Sequence, residues 1–575
     1  MKKEIFSRKL ISLVLAGTML VPLASCGKSA DKAESNSNQT VTNTYPVVDK
    51  PLTLTLWADM RKAQSTIQDF NEKDTFKEME KKTGIHIEFK HPPAGQVTDQ
   101  FNLMVASNDL TDIIWKRPTE GLTNGFLVPL NEYVDKYAPD YKKLMDKYPN
   151  FKKSMYTDDD KLTGFGYIIP TMEQNIINGP MIRKDWLDKL GLKMPETIDE
   201  WETVLNAFKE KDPNGNGKAD EIPLDSKKNT DFMNFAKAWG VKNDYYLDGD
   251  PKTGKVKYGP AEPAFKDFLT KMNEWYKKGL INQNYLTTDQ KMLDANVTGN
   301  KSGAVYGGMG AYLGNYVGLM LKDKDFNLWP AQRPKLNSNS KIYGDIERQW
   351  TQGAADVGYI TTSNKHVAET VRWFNWGYTE EGIKAMNFGT EGETYKMVDN
   401  KPIYTDEIMK NPKGLSITNA LAKHTMVADE HATFQRPEVL EQTTCASPAQ
   451  RQALKTWAVG MDQTGANLML PPVSLTNDEQ TEDNSRMNDI KTYTSEMLDK
   501  FITGKEPLSN WDKYISQLKS MGIDQCIKVR QDALERWRKR GGVEATTKLE
   551  NMTLDFKNSP LITEKGLDIL DKDLK

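Results

Sequence analysis

The chain has 575 residues, is 38% hydrophobic and 27% charged, and carries a formal net charge of −3. That near-neutral balance leaves no electrostatic footprint for nucleic acid. Five His without an H-x-x-x-H pair, and the absence of G-x-S-x-G and G-x-x-x-x-G-K-[ST], leave zinc, serine-hydrolase and P-loop chemistry without a motif.

The N-terminus reads as an export signal over residues 1–25. A charged start (Lys2, Lys3, Arg8, Lys9) precedes an apolar run from Leu10 to Leu23, and the small residues Ala24 and Ser25 stand before Cys26. The run is short for a bilayer span, and its flanks fit a cleavage site. "LASC" resembles the lipobox of bacterial lipoproteins, which implies lipidation of Cys26 and an anchor of two acyl chains, enough to hold a protein at a membrane. Residues 26–50, rich in Ser, Asn and Thr, read as a tether that cannot bury a core.

Beyond the tether, strand and helix signals alternate. "LTLTLW" (52–57) is strand-like, the stretch from Phe70 to Lys82 is helical and charged, "IHIEF" (85–89) alternates, and "DIIW" (112–115) is a further buried strand. This predicts parallel sheets covered by helices on both faces, an α/β fold. "LNEYVDKYAPDYKKLMDKY" reads as helix. From about Ala368 the periodicity is mostly helical, with "AETVRWFNWGY" and "IKTYTSEMLDKFITG" clearest; Trp373 and Trp376 fall on one buried helical face. Cys445 and Cys526 permit a disulfide outside the cell without demanding one.

The segment "KDPNGNGKADEIP" (211–223) carries alternating oxygen donors. With Asp212 as position 1, Asn214, Asn216, Lys218 (through its carbonyl) and Asp220 occupy positions 3, 5, 7 and 9 of an EF-hand-type calcium loop, and Gly217 sits at the sharp turn. Position 12 holds Pro223 instead of the usual Glu, and Glu221 is the nearest replacement. Ahead of the loop, Thr197 and Glu200 form a capping box, followed by Trp201, Val204, Leu205 and Phe208 at helical spacing. A capped helix running straight into the loop points to a structural Ca2+ that staples helix to strand. Nothing here suggests a catalytic ion.

Several longer stretches are similar to one known family. "DIIWKRPTEGLTNGFLVPLNEYV", "MIRKDWLDKLGLKMPETIDEWETVLNAFKEKDPNGNGKADEIPL", "KSGAVYGGMGAYLGNY" and "FITGKEPLSNWDKYISQLKSMGID" resemble family 1 extracellular solute-binding proteins, the ligand receptors of carbohydrate ABC importers. Within that family they resemble a long subgroup that includes alginate-oligosaccharide-binding proteins. The likeness covers roughly residues 50 to 540, and residues 541–575 stay unassigned. It implies a two-lobed periplasmic-binding-protein type II fold with a hinge and an interlobe cleft. Lobe 1 would be 51–170 plus about 345–415, and lobe 2 would be 171–344 plus about 416–540. In the alginate-binding proteins the residues matching Asp212, Asn214, Asn216, Lys218, Asp220 and Glu221 bind calcium.

The implied product is a monomeric receptor on the outer face of the bacterial cytoplasmic membrane that hands an oligosaccharide to an ABC permease. Ligand contacts are expected from Trp57 and Asp59 just past the first strand and from Trp115 and Arg117 just past "DII", since ligands of open α/β sheets bind beyond the carboxyl ends of strands. The resemblance adds Tyr306 and Tyr312 from the second lobe. Arg348 and Trp350 lie in a segment expected to cross between lobes. For each aromatic residue the competing reading is core packing, with greater weight at Tyr306. Two other functions remain open: a secreted cell-surface glycosidase or polysaccharide lyase, and a receptor for peptide or another non-sugar solute.

Overall fold

The computed structural model describes residues 44–115, 125–170, 174, 176–227, 231–249, 252–345, 353–427, 431–445, 447–459 and 468–540. All of them belong to one compact unit spanning 39–575.

The chain opens as the alternation predicts. Strand β1 (Leu52–Ala58) leads to helix α1 (Asp74–Thr83), which stops at Gly84 with φ +74°, a conformation suited to glycine, and β2 (Ile85–Lys90) follows. Helix α2 (Val97–Ser107) then leads to β3 (Ile113–Trp115). Strand β1 pairs in parallel with both, Leu52 facing Ile85 and Leu56 facing Ile113. The segment expected as one helix over 130–148 breaks at Ala138 into Asn131–Tyr137 and Pro139–Lys147, because Pro139 has no N–H to continue the first ladder.

Strand β4 (Phe165–Ile168) completes this region, and β5 (Asn178–Arg183) begins a second one. Helix α3 (Ile198–Glu210) starts at the Thr197 and Glu200 capping box and buries Trp201, Val204, Leu205 and Phe208. It is followed by β6 (Ile222–Leu224), the hairpin β7 (Tyr245–Asp248) and β8 (Lys255–Tyr258), helix α4 (Gln290–Thr298) and β9 (Ser302–Gly308). Strands β10 (Leu328–Pro330) and β11 (Gly353–Ile360) come next, and the long helices α5 (Asn477–Thr503) and α6 (Ile523–Lys539) lie near the C-terminal end.

The first sheet has the order β2-β1-β3-β11-β4 and the second β10-β5-β9-β6. Neither is wholly parallel, which corrects the sequence expectation. Strand β11 runs antiparallel to β3 and β4, and β5 runs antiparallel to β9 and β10. A parallel neighbour needs a crossover helix within its own sheet. Strand β11 instead follows β10 of the other sheet, and it enters the first sheet in the opposite sense.

Two large cores form around these sheets. The first holds Leu54, Phe70, Trp115, Phe165, Trp373 and Trp376, and the helix Val367–Trp376 buries both tryptophans as its periodicity predicts. This core also takes in Ala420, Leu421, Met426 and Val439. The second core holds Trp186, Trp201, Phe208, Trp275 and, from the C-terminal helices, Tyr514 and Cys526. Cys445 packs in a third, smaller core, and the two buried cysteines remain separate thiols.

Candidate functional site

The oxygen-rich loop leaves the end of α3 with Asp212 at φ +45°, and Gly215 and Gly217 both at +73°; these positive angles fold the backbone inward. The Asp212 carboxylate accepts from the amides of Asn216 (3.1 Å) and Gly217 (3.0 Å), and Asn214 Oδ1 accepts from Asn216 N at 2.9 Å. Asn216 Oδ1 accepts from the Lys218 amide at 2.8 Å. Asp220 Oδ1 accepts from the side-chain amides of Asn216 (2.9 Å) and Asn214 (3.3 Å). Glu221 differs: both of its carboxylate oxygens are buried without a hydrogen-bond partner. Burial, then the charges of Asp212 and Asp220, push its pKa up. Lys301 Nζ stands 3.4 Å from Asp220 Oδ2, but the two Glu221 oxygens, beside two further carboxylates, have no donor on them. The set contains neither thiolate nor imidazole, so it fits a hard divalent cation such as Ca2+, not a soft transition metal.

The expected ligand residues are distributed in an instructive way. Trp57 is level with Ile114, while Trp115 is level with Ala58, so the two indoles point to opposite faces of the first sheet. Trp57 packs edge-on against Phe101 of α2 at 5.3 Å, and Trp115 lies 5.5 Å from Phe70 and 4.2 Å from the His431 ring. They are 5% and 8% exposed. Neither nitrogen of His431 has a partner, and burial, helped by Lys73, drives its pKa down to about 3. Asp59, just beyond β1, is half-buried and accepts from the Arg61 amide at 3.1 Å. Arg117, Arg348 and Trp350 fall outside the described residues.

Tyr306 of β9 is buried in the second core, with the Lys237 ammonium 5.6 Å above its ring. Tyr312 sits in the π-helical turn Met309–Gly314 that follows β9. Its ring folds back over Gly307, where an added Cβ would lie 2.5 Å from the ring. Lys227 lies 5.5 Å from the ring centroid, and the Tyr312 hydroxyl donates to Gln290 Oε1 at 3.2 Å.

Sequence reasoning missed the polar groups around Tyr312. Lys227 Nζ donates to Gln290 Oε1 at 2.7 Å, Gln290 Nε2 to Asp294 Oδ1 at 2.7 Å, and the Tyr316 hydroxyl to Asp294 Oδ1 at 2.7 Å. These residues come from the end of β6, the start of α4 and the turn after β9, so no local pattern links them. Two residues before Lys227, the fully buried Asp225 carboxylate accepts from Ser302 Oγ (2.6 Å), Asn282 Nδ2 (2.6 Å) and Asn296 Nδ2 (3.0 Å). Strands β6 and β9 are parallel neighbours, and the polar set lies past the carboxyl ends of both.

The profile of the bacterial extracellular solute-binding proteins matches residues 57–384. The chain belongs to that family. The fructooligosaccharide ABC transporter substrate-binding protein FusA of Streptococcus pneumoniae is 28% identical over 68% of this chain and 72% of its own length. The polygalacturonan/rhamnogalacturonan-binding protein YtcQ of Bacillus subtilis is 24% identical over 80% of this chain and 88% of its own. Among solved structures, the alginate-binding protein AlgQ2 without calcium ion superposes with a TM-score of 0.69 at 28% identity, covering 85% of this chain and 98% of that one. The fold of this solute-binding protein is the two-lobed periplasmic-binding-protein type II architecture.

Proposed function

We propose that this solute-binding protein is the extracellular receptor of a carbohydrate ABC importer, which holds an oligosaccharide between two lobes and presents it to the permease. The family match over most of both sheets carries this reading, and the names of FusA, YtcQ and AlgQ2, all sugar-binding, support it. Lobe 1 is built on the first sheet and the return segment to about 439, and lobe 2 on the second sheet with the C-terminal helices. Ligand contact with both lobes favours a closed form, and that form is what a permease distinguishes. The chain is exported, held by lipid on Cys26, and functions as a monomeric binding protein and not as an enzyme.

The loop from Asp212 to Glu221 holds Ca2+ in a structural role. The orphaned Glu221 oxygens support this, since an ion there would neutralise them and fix the end of α3 against β6. Asp212, Asn214, Asn216, Asp220, Glu221 and the Lys218 carbonyl are its donors.

A thermal-shift screen of the purified chain against neutral and acidic oligosaccharides tests the receptor reading. At least one sugar should raise the melting temperature while its chain length stays unchanged. New reducing ends or unsaturated products would support the enzyme reading, and a response to peptides alone would replace the sugar.

A further inference from the structure

The polar set around Tyr312 has a composition that bears on the ligand. One face of the Tyr312 ring lies on Gly307 and Lys227 stands over the ring, and the residue is 9% exposed, so the ring is not an open stacking platform. The groups left facing outward are polar: Gln290 is exposed, and Lys227 and Asp294 are half-buried. Gly310, at the start of the same turn, has open space where a side chain would point, so the backbone there can be approached closely. Asp231 joins the set by accepting from the Lys227 amide at 3.3 Å.

The charges in this set are one ammonium, Lys227, and two carboxylates, Asp231 and Asp294; both carboxylates act electrostatically on Lys227 and on Tyr312. A sugar hydroxyl can donate to a carboxylate and accept from an ammonium or amide at once, and this set offers both. A uronic acid would bring a third negative charge beside Asp231 and Asp294, which with Lys227 already sum to −1. Among the described residues, the set also contains no guanidinium to hold a carboxylate by two parallel hydrogen bonds.

Resting on the receptor reading above, we propose that Lys227, Gln290 and Asp294, with the buried Asp231 charge behind them, form a hydroxyl-reading subsite in the second lobe that accepts an uncharged sugar ring and rejects a uronate. The ligand is thus a neutral oligosaccharide at this end.

Calorimetric titration of the full, calcium-loaded chain with neutral fructo- and xylo-oligosaccharides, and with oligogalacturonates and oligoalginates of equal length, tests this at low and high salt. Neutral ligands should bind at least about tenfold tighter than uronates at low salt, and the gap should shrink as salt screens the carboxylates. Asp294→Asn should narrow the gap. Lys227→Met and Gln290→Ala should each weaken the neutral ligand by roughly tenfold, the loss of one charge-assisted or well-placed hydrogen bond, while the melting response to EDTA is unchanged. Gln290 begins an exposed helix, so its variant tests the subsite even if the Lys227 variant folds poorly. Tighter binding of uronates, or an unchanged ratio in Asp294→Asn, overturns the subsite while leaving the receptor intact. Binding of neither class overturns the receptor reading and this inference with it.

Discussion

Arg536 Nε donates to Asp158 Oδ2 at 2.8 Å, and this pair joins the last described helix to a turn built on the other core. Helix α6 packs Leu534 and Trp537 against Leu247 and Val256 of the β7-β8 hairpin, whereas Phe151, Met155 and Leu162 around the turn belong to the first core. Arg540 reinforces the contact through the carbonyls of Tyr156 (2.8 Å) and Thr157 (2.9 Å) and lies 3.0 Å from the same carboxylate. Asp158→Asn should therefore destabilise the protein by about 1–3 kcal/mol, the worth of hydrogen bonds to a charged group. Denaturant titration should show this, and a double-mutant cycle with Arg540→Gln should give less than the sum of the single losses. Additive losses would mean that the two groups act separately.

Removing calcium should lower the melting temperature, and adding it back should restore it, because an ion bound by the folded state alone stabilises that state by mass action. Asp212→Ala should abolish the response. Glu221→Gln should leave the metal-free protein as stable as the parent or more so, since it removes an unpaired buried charge, while weakening the calcium effect. An EDTA response that survives Asp212→Ala would place the ion elsewhere.

His431 makes stability depend on pH in a defined direction. Its folded pKa, about 3, lies below the ordinary value of 6.5, so the neutral ring is favoured in the fold. The resulting stability is complete above 6.5 and is lost as pH falls from there toward 3. Between pH 7 and 5 the loss from this one group is about 2 kcal/mol. Melts of His431→Phe, which keeps a flat ring against Trp115, should show a correspondingly smaller drop over the same interval. Equal drops in both proteins would assign the acid sensitivity to other groups.

Trp57 and Trp115 should separate under substitution. Each is nearly buried, so alanine at either should cost roughly 3–5 kcal/mol of stability. A sugar laid against one face of the sheet cannot stack on both indoles, so no more than one variant should lower ligand affinity beyond about tenfold when measured on folded protein. Comparable losses in both would require the ligand to wrap over the strand ends.

The sequence patterns that predicted structure well were local. The alternation of β1 and β2 and the capping box at Thr197 each depend on residues within a turn or two of one another, and each appears where expected. Trp57 and Trp115 show the limit of that reasoning. They were expected just past the strands, but Trp57 lies within β1 and Trp115 closes β3, and the face each indole takes depends on register between strands, which pairs Trp57 with Ile114. The antiparallel β11 and the Lys227, Gln290 and Asp294 set depend on elements far apart in the chain. A local window sees those residues as an ordinary strand, a loop lysine and two polar helix residues.

The first described residues carry a further consequence. Tyr45 donates to the Arg372 carbonyl at 3.3 Å, and Val47 N donates to Thr83 O at 2.8 Å, just ahead of the point where β2 begins. The chain thus enters the first core at the edge where β1 and β2 start, opposite the edge where Trp57 and Trp115 sit near the strand ends. With Cys26 held in lipid as proposed, the intervening segment reaches roughly 60 Å when fully extended. With the cleft at the strand-end edge as proposed, a receptor anchored at the strand-start edge must turn over to meet a permease in the bilayer. The length of the segment between Cys26 and Tyr45 then bears on import: shortening it should slow uptake while leaving sugar affinity untouched.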